Sequence, residues 1–267
     1  MRPNTPHMVY TLESAICHGG HFYSISTIRD SVYGIYHTFS ASGLLTNTEH
    51  TKDARLLLRR LVAFLHYIFV RRQFDPCRPA MPSPHAPDVS TFEGMIDLFM
   101  LCIVMELGHL LNPGAYRREA TPELHDLVSI VYSRGLAREL LDWWQACYEL
   151  VGEDGTRRSG WQIFHELFSH QVRALAVYKR LAERDGIDSD EPECTAAAFV
   201  TWLARFHGKQ LGVRESSLSR WVAENEKKWA SASFAWPGKV YTVCVRKTLI
   251  PFEPRKSPGC HETPIQY

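Results

Sequence analysis

The stretch MIDLFMLCIVMELGHLL, from Met95 to Leu111, decides the fold class. It is the most apolar run in the chain, yet it contains Asp97, Glu106 and His109. Each is costly at the centre of a bilayer, where a span needs about twenty mostly apolar residues. The run is therefore read as a core helix over Thr91–Leu111, with Ser90 or Thr91 as its N-cap.

Working outward, more helices are predicted around it. Asp53 to Phe74 places Leu56, Leu57, Leu61, Phe64, Leu65 and Ile68 at three- and four-residue spacing, with arginines at the edges and in the last turn. Thr121–Val151 reads as a helix broken or bent near Gly135, and Ser159–Asp185, Glu193–Phe206 and Ser216–Trp229 complete the set. Asp75 to Pro87 holds five prolines and is predicted to be a loop. KVYTVCVRKTLI, Lys239 to Ile250, alternates and is β-branched, which predicts a late strand. The tail 251–267 is proline-rich, polar and expected to be mobile.

The first forty residues have another character. Val9, Tyr10, Thr11, Ile16, Phe22, Tyr23, Ile25 and Ile28 are β-branched or aromatic, and Gly19-Gly20 punctuates them. Short strands are expected near residues 7–12 and 14–18, and they must pack on something, because an isolated hairpin is marginal in water. The expected fold is mainly α, with short N-terminal strands on a multi-helix body. The division is 1–40, a helical domain over 41–250, and the tail. No period of twenty to fifty residues recurs.

Composition narrows the function classes. The 267 residues are 45% hydrophobic and 22% charged, enough for a substantial core and unlike a disordered chain. A net charge of +1 and no basic run give no direct signal for nucleic acid. The seven scattered cysteines form no C-x-x-C pair, so they read as reduced thiols of an intracellular protein, and the N-terminus has no apolar signal-peptide core.

Three patterns invite a site and are weaker than they look. In C-H-G-G-H, Cys17 and His18 are adjacent and would point to opposite faces of a strand, with no second pair at zinc-finger spacing near His21. In His165-Glu-Leu-Phe-Ser-His170 the histidines are five apart, about 140° around a helix, so the metalloprotease geometry fails. Trp143, Trp144, Tyr148, Trp161, Trp202, Trp221, Trp229 and Trp236 read as packing, since a methyl-lysine cage needs several converging on one pocket.

One segment carries a resemblance. RPNTPHMVYTLESAICHGGHFYS, residues 2–24, resembles the last barrel strands of JmjC proteins: a proline-containing turn, a histidine, an apolar strand, then Gly-Gly, a polar residue and an aromatic. His7 falls on the family's final iron-ligand histidine, Gly19, Gly20 and Phe22 on the close of the barrel, and His21 where relatives often carry asparagine. The resemblance implies a remnant of a double-stranded β-helix over 1–40. It also implies Fe(II) and 2-oxoglutarate as cofactors, protein or chromatin partners, and a nuclear address.

Such oxygenases hold iron with two histidines and a carboxylate, the first two ligands arriving as H-x-D or H-x-E. None of the 13 histidines here is followed two residues on by Asp or Glu. The start at Met1, inside what the family makes a turn before a strand, leads to the expectation of an N-terminally truncated and inactive oxygenase. The alternative is a non-enzymatic helical module that docks a protein partner.

Overall fold

The computed structural model describes residues 10, 12–13, 24–41, 51–71, 85–117, 124–186, 193–211, 214–229 and 233–246. Among these residues are seven α-helices and a small three-stranded antiparallel sheet. The mainly helical expectation is met. The expected N-terminal strands lie outside the described residues, apart from the exposed Tyr10 and Leu12, and so does the tail 251–267.

The apolar run forms α3 (Phe92–Leu107), and every residue of it except Glu93 and Asp97 is buried. The Thr91 hydroxyl caps it by accepting from the Gly94 backbone N–H at 3.1 Å, satisfying one of the donors a helix start leaves unpaired. Around it pack α1 (Ile28–Ala41), α2 (Thr51–His66), α4 (Leu124–Cys147) and α5 (Gly160–Arg184). No helix among the described residues is long and apolar enough to cross a membrane.

Helix α1 was not expected from the β-branched content of the first forty residues. Ile25–Thr27 is a 3₁₀ turn, and Ile28, Val32, Tyr36 and Phe39 follow at helical spacing and are buried. Packing against α3 and α5 overrides the local preference. Two buried polar links tie α1 to α5: the Tyr36 hydroxyl donates to Gln171 at 2.7 Å, and the Lys179 ammonium to the Phe39 carbonyl at 3.3 Å.

Helix α2 ends at His66, where the predicted segment continued, and the chain passes through a π-turn over Tyr67–Arg71. Helix α4 also departs from expectation. It runs unbroken through Gly135, because Leu136, Ala137, Leu140 and Leu141 on its inner face are all buried. It stops at Cys147, four residues short of the predicted end, because Tyr148–Val151 becomes strand β1.

That strand is the middle of the sheet, between β2 (Arg157–Arg158) and β3 (Thr242–Val245). Leu150 pairs with Arg158 on one side and Val243 on the other. Gly155 turns the chain between β1 and β2 with φ of 76°, a left-handed conformation suited to glycine. Strand β3 lies inside the predicted late strand. Just after it, Arg246 donates to the carbonyls of Gln145, Cys147 and Tyr148, closing the C-terminal end of α4 that would otherwise lack partners.

Helix α5 begins with the expected Ser159, in a full capping box with Gln162. It packs with α6 (Ala196–Leu211) and α7 (Glu215–Trp229). Cys102, Cys147, Cys194 and Cys244 are unbridged thiols.

Two glycines should respond oppositely to substitution. A Cβ at Gly94 would sit 2.1 Å from the Asp88 carbonyl oxygen, so Gly94→Ala is expected to destabilise by about 1–3 kcal/mol. At Gly135 nothing lies within 4 Å, so Gly135→Ala is expected to stabilise by about 1 kcal/mol through helix propensity alone. Urea unfolding of both variants, with wild-type slope, reads the two signs.

Candidate functional site

The most elaborate polar arrangement among the described residues lies where α3, α4, α5 and α6 meet. Glu106, in the last turn of α3, is 2% exposed. Arg134 and Arg138, one helical turn apart on α4, face it together: Arg134 Nε donates at 2.6 Å and Arg138 Nε at 2.5 Å. Burial pushes the carboxyl up, but the two guanidiniums outweigh it and hold Glu106 below its ordinary range.

One turn further on, His109 sits edge-on to Phe206 of α6, with ring centroids 4.5 Å apart. The ring of His207, itself fully buried, lies 6.1 Å away. His109 Nε2 is buried without a hydrogen-bond partner. Burial, reinforced by His207 and Arg134 and partly opposed by Glu106, lowers its pKa to about 4. At neutral pH it is an uncharged imidazole. It can accept a proton, but no group of three or more His, Cys, Asp or Glu able to hold a metal occurs among the described residues.

A second buried pair links α2 to α4. His66 Nε2 donates to Glu139 at 2.9 Å, just before the π-turn, and Phe69 in that turn stacks on Trp143 at 5.0 Å. Burial lowers the His66 pKa more than the hydrogen bond to Glu139 raises it, which favours the neutral imidazole.

His7, the CHGGH residues and Phe22 lie outside the described residues. His165 and His170 go to different neighbours, His165 against Trp161 and His170 Nε2 to the Ser233 carbonyl at 2.8 Å, as the spacing required. Among the described residues, Trp143 and Trp144 meet at Tyr148 and the other tryptophans go to separate neighbours. Trp143 and Trp144 are core, Trp202 lies against Tyr116, Arg173 stacks over Trp221, and Trp236 donates to the Lys239 carbonyl.

Sequence reading passed over two surfaces. An open groove of about 740 Å³ runs between the starts of α1 and α3 and the outer side of α2, with Ile25, Leu61 and Phe64 against Asp88 and Asp97. Arg29 spans its acidic side, bonded to Asp97 and Glu93 at 2.7 Å each. The other surface is the first half of α4, where Leu127, Val128, Val131 and Tyr132 are exposed by 40%, 60%, 69% and 52%. Their spacing of three and four residues was the available signal.

Two measurements test the polar cluster. Glu106→Gln leaves two guanidiniums without their carboxylate. Because Arg134 and Arg138 are partly exposed, a loss of about 2 kcal/mol is expected rather than the full cost of a stranded buried charge. The unfolded chain protonates His109 below pH 6.5 and the folded chain only near 4, so stability falls as the pH drops through that window. His37, His66, His165 and His170 shift the same way, and His109→Gln should remove one share of the Tm loss. Equal Tm–pH slopes in the variant and the wild type would discard that assignment. No protein-family model, curated protein or solved structure matches the chain.

Proposed function

We propose that this chain carries one iron-ligand segment of a JmjC-type Fe(II)/2-oxoglutarate-dependent oxygenase acting on protein substrates, and that alone it does not turn over. The observation that carries the reading is the segment RPNTPHMVYTLESAICHGGHFYS, with His7 on the ligand position and Gly19-Gly20 at the barrel's close. In support, the segment ends at Ser24, where the helical body begins.

Iron with 2-oxoglutarate and O₂ would supply hydroxylation at a C–H bond of the substrate. The residues of this chain do not complete that site, because no histidine is followed at the second position by Asp or Glu. A lone neutral imidazole binds metal weakly without converging ligands and a supporting shell. No reaction step is therefore assigned to this polypeptide, and a chromatin partner and nuclear address belong to the same proposal.

A second reading is a helical docking module without catalysis. The apolar outer face of α4 favours it.

The two are separated by complementation. The chain alone, titrated anaerobically with Fe(II) and 2-oxoglutarate, is expected to give no metal-to-ligand charge-transfer band and no succinate. Fused behind barrel strands of a JmjC enzyme that carry H-x-D, it should gain the band, and His7→Ala should remove it. A band from the chain alone ends the inactivity claim; a fusion indifferent to His7→Ala ends the iron reading.

A further inference from the structure

We infer that His109 and His207 form a two-coordinate site for a soft monovalent cation, copper(I), held between their ring nitrogens. The inference stands apart from the iron reading, which concerns His7. His109 lies just past the end of α3 and His207 near the end of α6, and their ring centroids are 6.1 Å apart with planes at 34°. His207 is fully buried, and the Nε2 atoms of both rings are sealed from solvent.

A buried nitrogen with no hydrogen-bond partner, as His109 Nε2 is, calls for something that takes its lone pair. Burial lowers the His109 pKa to about 4, so with its one proton on Nδ1 the ring offers that lone pair at neutral pH. Two metal–nitrogen bonds of about 2 Å, with a ring radius of about 1 Å at each end, span roughly 6 Å, which is the separation of the two rings.

The surroundings select the ion. No group of three or more His, Cys, Asp or Glu able to hold a metal occurs among the described residues, and Glu106 is already taken up by Arg134 and Arg138. Phe206 stands edge-on to His109 and Phe168 edge-on to His207, so aromatic rings wall the pair. Zinc closes its shell with three or four protein ligands, which this pair lacks, whereas copper(I) is satisfied by two and copper suits imidazole. One positive charge is also tolerated better than two in a place that feels Arg134, with the Glu106 carboxylate offsetting it. Phe206 is 46% exposed, so a single side chain separates His109 from solvent and gives the ion a way in.

The test uses silver(I), a redox-inert ion with the same filled shell, on the full chain. The seven cysteines take silver too, so the readout is the imidazole nitrogens themselves, followed by long-range proton–nitrogen NMR until thiols and site are both filled. The Nε2 signals of His109 and His207 should shift together, by the same fraction at each addition. Those of His66 and His170, bonded to Glu139 and to the Ser233 carbonyl, should stay in place. Zinc(II) at the same concentration should leave the His109 and His207 signals unmoved. His207→Gln should abolish the shift at His109, and His170→Gln should leave it intact. A His109 signal that silver does not move, as a bridging water would give, a shift that survives His207→Gln, or an equal response to zinc would each overturn the site. The wild-type titration decides the matter even should His207→Gln fail to fold.

Discussion

Enclosing α3 on nearly every face leaves its carboxylates few exits, and the helices around it are placed by the exits they take. Asp97 meets Arg29 of α1 at 2.7 Å, and Glu106, one end away, meets two arginines of α4. Apolar burial supplies the attraction between helices but has little directional preference. A carboxylate as buried as Glu106 with no cation opposite would cost several kcal/mol, so sliding or rotating α4 against α3 is opposed there, while the half-buried Asp97–Arg29 pair adds a smaller constraint at the α1 end. The Tyr36–Gln171 and Lys179–Phe39 links do the same between α1 and α5.

Elements whose signals are local were legible in the sequence. Helix α3 announced itself by its run of apolar residues and the Thr91 cap, and α5 by its span from Ser159. Tyr148–Val151 was misread as the end of α4 because its fate depends on Thr242–Val245, which pairs with it from nearly a hundred residues away. In α1, Ile28, Val32, Tyr36 and Phe39 had the helical spacing, but β-branched and aromatic content outweighed it. At Gly135 a local penalty of about 1 kcal/mol was read as a break, while the buried inner face of α4 carries the helix through.

The polar cluster was legible by halves. Glu106 and His109 stood out as polar groups within an apolar run, and that reading served only to argue against a bilayer. Their partners Arg134 and Arg138 lie one turn apart on another helix, and nothing in their own neighbourhood points to Glu106. His207 carried no signal, since it becomes informative only when α6 lays it beside His109. The spacing of His165 and His170 set them about 140° apart around a helix, and the structure sends them to different neighbours.

Arg246 closes the end of α4 from a position about a hundred residues further along the chain. During synthesis the helix can therefore form well before the group that terminates it exists. Until then Tyr148–Val151 can extend the helix or pair only with the neighbouring β2, and its pairing with β3 is a late event of high sequence separation, the slow kind of contact in folding. The junction at Cys147 works as a clasp: fastened last, it fixes where α4 ends and holds the sheet to the helical body.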